Sequence, residues 1–275
     1  MPSNVEPTNR NHAPFSARAA LLAVFASWLL LAVVRLTAPS DLLDNDQARP
    51  AMYALDILRN AHWIVQTDPS GDIASKPPLY TWLVAIVAAV SGRVNEWTLY
   101  IPTSLAVLGI ALLVNRAAST RFGPVPGLLA AGAFLFSPFA AKHLALARTD
   151  ALFALAVTGA ALLAYRAWTT DRRGRWTLFW IACVLATLTK GPLGVVLALG
   201  GLVPLVWSDP KRVGRGVWLD LSAGIVIYAA LCGGWLLAAH AQMGQPVIDK
   251  LIGRELLGHA ASSDSGGMPL LSFYK

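Results

Sequence analysis

Apolar runs alternate with short polar segments along most of the chain. The apolar runs that are candidates for membrane spans cover residues 19–36, 77–91, 99–115, 124–149, 151–164, 176–189, 193–207 and 217–239. One longer polar segment, residues 44–78, holds five aspartates beside two arginines and one lysine. Helices satisfy their own backbone hydrogen bonds inside lipid. The pattern predicts an all-α, polytopic transmembrane bundle with a polar loop, residues 38–76, that carries interfacial helices on one face.

The composition supports a multi-pass integral membrane protein. Of the 275 residues, 56% are hydrophobic and 13% are charged, whereas soluble domains are about 25% charged. The formal net charge of +7 could indicate nucleic-acid binding, but the basic residues form short clusters between apolar runs, as the positive-inside rule requires. We therefore expect no nucleic-acid partner. Cys183 and Cys232 both lie inside apolar runs and are expected to be small buried side chains.

The basic clusters predict the orientation of the chain. Arg10 and Arg18 precede the first run, so residues 1–18 are predicted to be a disordered cytoplasmic N-terminus. By the same rule the loops at 166–176 and 209–216 are cytoplasmic, Arg93 is inside, and the polar loop is outside. We expect a membrane module at 19–240 and an outer-face segment at 241–275. The chain ends without a closing apolar element, which suggests a truncated protein.

The polar loop is predicted to contain a helix that lies on the membrane surface. Asp46 can cap a helix that starts at Gln47. Met52, Leu55 and Leu58 then fall on one side of that helix at helical spacing. The amphipathic pattern favours a helix along the outer membrane surface over one that crosses it.

Residues 124–149 pose a parity problem. Counting spans from both ends places Asn115 and Asp150 outside, so this segment must enter and leave the membrane on one side. Its halves, divided at Ser137-Pro138, are each roughly 20 Å long as helices, less than a hydrocarbon core of about 30 Å. We expect two short, broken helices. The alternative is one kinked span with an error elsewhere in the topology.

Several charged residues could carry chemistry at the outer face. Lys76 stands directly before two prolines that open an apolar run, which places its ammonium at the level of lipid phosphates. The alternative is a snorkelling lysine that marks a helix end. Lys190 is on the outer side, where the positive-inside rule disfavours lysine. Arg148 and Asp150 are also candidates, or they simply pair with each other. The sequence indicates no role for His143.

An ordered set of motifs resembles a known family. These motifs are Asp-Gln at 46–47, Asn-Ala-His-Trp at 60–63, Ser-Lys-Pro-Pro-Leu-Tyr-Thr-Trp-Leu at 75–83, Gly-Arg-Val-Asn-Glu-Trp-Thr-Leu-Tyr-Ile-Pro at 92–102, Arg-Thr-Asp-Ala-Leu at 148–152 and Leu-Thr-Lys-Gly-Pro at 188–192. The set resembles the membrane glycosyltransferases of GT-C fold. Within that fold it is similar to the dolichyl-phosphate-mannose protein mannosyltransferases, the lipid A aminoarabinose transferases and the Rgt-type transferases.

The resemblance implies a reaction and its partners. The donor would be a sugar on a polyprenyl phosphate, in a bacterial-type inner membrane. The sugar would pass with inversion to an envelope acceptor, a lipid, glycan or protein, on the non-cytoplasmic face. No cofactor is certain, and a divalent metal stays open. Ser75 stands where the family often has a glutamate before Lys-Pro-Pro, and Gln47 replaces the usual second acid of the first loop, which weakens a metal site.

The resemblance also implies roles for individual residues. Asp46 would be the base that takes the proton of the acceptor hydroxyl. Lys76, Arg49 and Arg148 would bind the donor phosphate and stabilise its developing charge. Further site candidates are Asp44, Asp150, Lys190 and Tyr80. The aromatic residues that could stack on the sugar are Tyr53, Trp63, Tyr80 and Trp82, and the alternative is an aromatic belt at the membrane interface.

Two rival functions stay open. A transporter would use the break at Ser137-Pro138 as a midplane site, but it should show an internal repeat and charges deep in its spans, and neither is clear. A non-catalytic membrane subunit is the second rival. It would be unaffected by Asp46→Asn.

Overall fold

A computed structural model describes residues 16–38, 45–170, 175–208 and 215–251, and these residues form helices with no strand. The helices are α1 (Ala17–Leu36), α2 (Asn45–Asn60), α3 (Leu79–Ser91), α4 (Glu96–Phe122), α5 (Pro124–Leu135), α6 (Pro138–His143), α7 (Asp150–Thr170), α8 (Arg175–Lys190), α9 (Leu193–Gly200), α10 (Val203–Ser208), α11 (Arg215–Tyr228), α12 (Gly234–Met243) and α13 (Gln245–Ile248). A π-helical turn, Ala229–Gly233, joins α11 to α12. The predicted all-α class is confirmed. Most of the predicted N-terminal segment 1–18 and most of the predicted outer-face segment 241–275 lie outside the described residues, namely residues 1–15 and 252–275.

Four helices are long and apolar enough to cross a membrane: Ala17–Leu36, Glu96–Phe122, Asp150–Thr169 and Trp218–Met243. The first and last of them expose large apolar side chains, such as Leu22 and Leu237. An exposed apolar face of this length suits contact with lipid tails. The chain is therefore an integral membrane protein, as its composition predicts.

Helices α4 and α7 run parallel to each other. The Arg121 guanidinium lies 5.1 Å from the centre of the Tyr165 ring, near the ends of both helices. In their first halves, Gly109 faces Leu155 so closely that a Cβ on Gly109 would lie 2.9 Å from a Leu155 methyl group. Both helices therefore begin at the same membrane face, here called the Asp150 face. They end at the opposite face, where Arg166 lies in the last turns of α7.

Helix α3 does not cross the membrane, so the predicted span at 77–91 is wrong. With 13 residues it is about 20 Å long. The Tyr80 hydroxyl at its start donates to the Leu99 carbonyl oxygen in the first turn of α4, at 2.8 Å. Since α4 begins at the Asp150 face, both ends of α3 lie there. Arg93 lies there as well, whereas the sequence placed Arg93 and Asp150 on opposite sides.

One side of α3 is buried against protein, with Val84, Ala85 and Ala88, while Ile86 and Val90 are exposed. Hydropathy alone does not distinguish such a helix from one that spans lipid.

Removing α3 from the span count resolves the parity problem. Helix α5 packs antiparallel on α4, with Gly127 against Asn115 and Ser119, and α6 returns the chain to the Asp150 face. The break at Ser137-Pro138 is present, and the Ser137 hydroxyl caps α6. The two short helices form, but they make one kinked crossing. The predicted entry and exit on one side is wrong, as is the placement of Asn115 on the face of Asp150.

Helix α2 lies at the Asp150 face with one side buried. Tyr53, Ala54 and Ile57 face the protein, while Met52 and Leu58 are 37% and 40% exposed. This division agrees with the predicted surface helix. The helix begins at Asn45, so Asp46 lies within its first turn and is not its N-cap as predicted.

The loop after α2 is tied down by Asp56. The Asn60 amide donates to this carboxylate at 2.7 Å and the Thr67 backbone N–H at 2.9 Å, and His62 Nδ1 lies 3.0 Å away. Burial raises the pKa of Asp56, but these hydrogen bonds, led by that from Asn60, hold the pKa below its ordinary value. The loop is also held from the far end of the chain, because Trp235 Nε1 donates to the Ile64 carbonyl oxygen and Lys250 pairs with Asp72.

The predicted span at 193–207 forms two helices, α9 and α10, that are separated at Gly201. The predicted span at 217–239 is continuous from α11 through the π-helical turn into α12.

Packing of α5 on α4 predicts that Gly127→Ala destabilises the protein. An added Cβ would lie 1.8 Å from Ser119 Oγ and 2.8 Å from the Asn115 carbonyl oxygen, and the backbone atom cannot rotate away. Overpacking of this kind costs about 1–3 kcal/mol. We expect a lower Tm in detergent by circular dichroism.

Gly132→Ala on the same helix is the matched control. No atom lies within 4 Å of its added Cβ, and alanine favours a helix over glycine. Equal Tm values for the two variants would contradict the described α4–α5 packing.

Candidate active site

A cavity of about 470 Å³ opens at the Asp150 face. Four segments meet around it: the first two turns of α2, the loop before α3 with its first turn, the loop before α7, and the end of α8. Seven of the site candidates singled out from the sequence line it, and they are Arg49, Tyr53, Lys76, Tyr80, Arg148, Asp150 and Lys190. The fold thus gathers candidates that are far apart in the chain.

The cavity is strongly basic. Four of its lining residues are arginine or lysine, and Asp150 is the single acid among the described lining residues. Converging cations at a membrane surface attract a phosphate more than a neutral solute.

Asp150 and Lys190 form an ion pair. Lys190 Nζ donates to Asp150 Oδ1, and both side chains are about one third exposed. Asp150 therefore pairs across two helices, from the start of α7 to the end of α8. Lys190 also lies 5.8 Å from the centre of the Phe153 ring, within range of a cation–π contact. Helix α8 ends at Lys190 because Gly191 adopts a φ of 93°, which suits glycine.

Asp150 has a second basic neighbour that sequence reasoning missed. The Nε2 of His143 lies 3.9 Å from Asp150 Oδ2, and the imidazole is buried. No motif marks His143, because it lies in the apolar segment that ends in α6. Only the kink at Ser137-Pro138 brings it beside the first residue of α7.

Lys76 occupies the loop at the N-terminal end of α3. Helix α3 begins at Leu79, and the Thr81 hydroxyl donates to the Pro78 carbonyl oxygen at 2.9 Å and lies 3.2 Å from Gln66 Oε1. The first backbone N–H groups of a helix carry partial positive charge and bind anions. Lys76 and the N-terminal end of α3 therefore bring positive charge together at one corner of the cavity.

Gln47 joins two walls of the cavity. Its side chain is buried, and its Oε1 accepts a hydrogen bond from the Ala147 backbone N–H at 3.3 Å. The bond links the first turns of α2 to the loop that carries Arg148. The sequence marks Gln47 only as the neutral replacement of an acid.

The aromatic candidates have separate roles. Tyr80 is buried, and its hydroxyl is engaged by the Leu99 carbonyl oxygen, so this residue supports the wall of the cavity. Tyr53 also lines the cavity, and burial raises its pKa to about 12, so that its hydroxyl stays neutral. Trp82 Nε1 donates to the Trp63 carbonyl oxygen, and neither tryptophan lines the cavity.

The two loop acids are only partly described. Asp44 and the side chain of Asp46 lie outside the described residues. The backbone of Asp46 belongs to the first turn of α2, three residues before Arg49, and residues three apart share a helix face. Among the described residues, no group of three or more His, Cys, Asp or Glu could hold a metal ion.

Two curated relatives match most of this chain. One is the undecaprenyl phosphate-alpha-4-amino-4-deoxy-L-arabinose arabinosyl transferase 1 of Pseudomonas fluorescens, 26% identical over 71% of this chain. The other is the arabinosyl transferase of the same description from Shewanella sediminis, 29% identical over 73% of this chain. The chain spans 35% and 37% of their respective lengths. These bacterial relatives and the apolar helices support an integral protein of the bacterial inner membrane.

A solved structure shares the fold. The crystal structure of ArnT from Cupriavidus metallidurans bound to undecaprenyl phosphate superposes with a TM-score of 0.71 at 21% identity. The match covers 88% of this chain and 45% of that one. The bundle is therefore a GT-C membrane fold, as the resemblance implied.

The family profile described as dolichyl-phosphate-mannose-protein mannosyltransferase matches residues 75–235, from Ser75 to the start of α12. This match includes Lys76, Arg148, Asp150 and Lys190 and extends over more than half of the chain. The chain therefore belongs to the dolichyl-phosphate-mannose-protein mannosyltransferase family.

Proposed function

We propose that this chain carries the donor site of an inverting glycosyltransferase, which moves a sugar from a polyprenyl phosphate to an acceptor in the bacterial envelope. The observation that carries the proposal is the cavity at the Asp150 face, where Arg49, Lys76, Arg148 and Lys190 converge. Two relatives are named for transferring an aminoarabinose from undecaprenyl phosphate, which supports the same donor class.

The charge distribution supports placing the cavity on the non-cytoplasmic face. Arg166, near the end of α7, lies at the opposite face, as do Arg116 and Arg121 near the end of α4. Basic residues concentrate in cytoplasmic loops. The N-terminus of α1 is then cytoplasmic.

The proposed reaction is a single displacement. An acceptor hydroxyl oxygen attacks the anomeric carbon, the bond from that carbon to the phosphate oxygen breaks, and polyprenyl phosphate leaves with the bonding electrons. The acceptor proton passes to the carboxylate of Asp46, which acts as the base. Attack on the face opposite the leaving group inverts the anomeric carbon.

The cations act on the leaving group. A phosphodiester carries one negative charge, and the departing monoester gains a second during the displacement. Lys76, Arg49 and Arg148 are placed to stabilise that second charge more than the first, which lowers the barrier. Lys190 adds to the field from the opposite wall. The membrane interface excludes much of the water that would otherwise screen these charges.

The position of the charges disfavours a transporter. Arg49 and Lys76 stand outside the spanning helices, while Asp150 and Lys190 are the terminal residues of α7 and α8. A transporter binds its substrate near the midplane. The break at Ser137-Pro138 instead serves to return α6 to the Asp150 face.

Sugar transfer should require Asp46 and Lys76. Membranes containing the product of the complete gene would be supplied with radiolabelled polyprenyl-phosphate sugars. We expect Asp46→Asn to reduce transfer about 10²–10⁴-fold by removing the base. Lys76→Ala should reduce it about 10²-fold or more by removing a charge from the leaving group.

Lys142→Ala is the control for lost positive charge, because Lys142 is exposed and does not line the cavity. Its transfer should equal that of the wild type. Undiminished transfer by Asp46→Asn at equal protein level would remove the proposed base and direct attention to Asp44 or Asp150.

Recognition of the donor should depend on its phosphate. Purified protein in detergent should bind polyprenyl phosphate, while the uncharged polyprenol of the same length should bind at least tenfold more weakly. Arg148→Ala should weaken phosphate binding about tenfold or more, since a hydrogen bond to a charged group contributes about 1.5–3 kcal/mol. Microscale thermophoresis would measure the three affinities. Equal binding of phosphate and alcohol would contradict the role of the cations.

A further inference from the structure

His143 is held by the backbone of its own helix. Its Nδ1 lies 2.8 Å from the Phe139 carbonyl oxygen, which can only accept, so Nδ1 carries a proton. The imidazole is stacked on the Phe139 ring, with centroids 4.1 Å apart and an interplanar angle of 25°. These two contacts fix the ring and direct Nε2 toward the start of α7.

The carboxylate of Asp150 lies between two basic groups. Lys190 Nζ donates to Oδ1, and Nε2 of His143 is 3.9 Å from Oδ2. Because Nδ1 already holds a proton, the neutral ring would turn a lone pair toward Oδ2. The imidazolium would turn an N–H toward it instead. The two charge states of His143 therefore act on the Asp150–Lys190 pair with opposite sign.

We propose that His143 is a positioning residue that controls, through Asp150, how strongly Lys190 attracts the phosphate of the donor. When His143 is charged, it shares Asp150 with Lys190, and the ammonium of Lys190 is less neutralised. The charge around the cavity is then one unit more positive. When His143 is neutral, it contributes no positive charge to Asp150, and the carboxylate neutralises Lys190 more fully. This inference rests on the proposed function of the cavity.

Arg148, in the loop between α6 and α7, lines the same cavity as Asp150 and is unchanged in every variant of the test. Lys142, on the same short helix as His143, is exposed. Helix α5, which packs on α6, contains no titratable residue. The charges of α4 are Glu96 in its first turn and Arg116 and Arg121 toward its opposite end, and Arg121 contacts the Tyr165 ring.

Packing alone is the competing explanation for a buried histidine. It accounts for the stacking on Phe139 and for the hydrogen bond of Nδ1, but it assigns no consequence to the position of Nε2. Two amide substitutions separate the explanations. His143→Asn retains a donor near the position of Nδ1, and His143→Gln retains one near the position of Nε2. Neither can become charged.

The test measures the affinity for polyprenyl phosphate between pH 6 and pH 8. Imidazole is the side chain whose charge changes in this range. Wild-type affinity should fall by about three- to tenfold more than that of His143→Gln as the pH rises. The ionisation of the ligand phosphate contributes equally to all variants and cancels in this comparison. At pH 6 the order of affinity should be wild type, then His143→Gln, then His143→Asn.

Asp150→Asn provides the second arm of the test. If His143 acts through Asp150, His143→Gln should change neither the affinity nor its pH profile in the Asp150→Asn background. Parallel pH profiles for wild type and His143→Gln would overturn the proposal, as would an undiminished effect of His143→Gln when Asp150 is Asn. Failure of the wild type to distinguish polyprenyl phosphate from polyprenol would instead refute the proposed function itself.

In transfer assays His143→Gln and His143→Asn should raise the KM for the donor by a larger factor than they lower kcat, since they change phosphate binding more than the chemical step. A fall in kcat at constant KM would contradict the inference.

Discussion

The length of a helix relative to the thickness of the hydrocarbon core determines how this chain is arranged. A core of about 30 Å requires about 20 helical residues, and α4 and α7 satisfy that requirement while α3 does not. Because α3 stays on one face, the polar loop, α2, α3 and the first turns of α4 and α7 all gather there. The cavity forms where these segments meet the end of α8. The residues that line the cavity are therefore those at or near the ends of these helices.

Hydrophobic pattern was sufficient to predict the helical class, the surface helix after the first span and the break at Ser137-Pro138. It was not sufficient to predict the side of the membrane on which Arg93 lies. An apolar stretch such as Leu79–Ser91 reads the same whether its neighbours are lipid tails or other helices. The error propagated to residues 124–149, where it replaced one kinked crossing with an entry and exit on the same side. The position of α3 is instead determined by contacts between residues distant in sequence, above all the hydrogen bond from Tyr80 to the Leu99 carbonyl oxygen. Hydrophobic periodicity does not reveal such contacts.

The sequence was a better guide to the residues of the candidate site than to the membrane topology around them. Lys76, Arg148, Asp150 and Lys190 each stand beside a proline, a glycine or a helix boundary, where a charged residue between apolar runs is conspicuous. Which of them pair could not be predicted, because the partner of Asp150 depends on the packing of α8 beside α7. His143 and Gln47 were less visible still. Both are buried, and their roles arise from partners that the kink and the surface helix bring to them.

The hydrogen bond between Gln47 and the Ala147 backbone has a consequence for the mobility of the cavity. It couples a helix at the lipid surface to the loop between two crossing segments, so Arg49 and Arg148 are carried by one connected body. Their spacing is then set when the protein folds, and little reorganisation remains when an anion arrives. An amide makes this connection without a net charge, so the coupling persists across the pH range in which a carboxyl group in its place could gain or lose a proton.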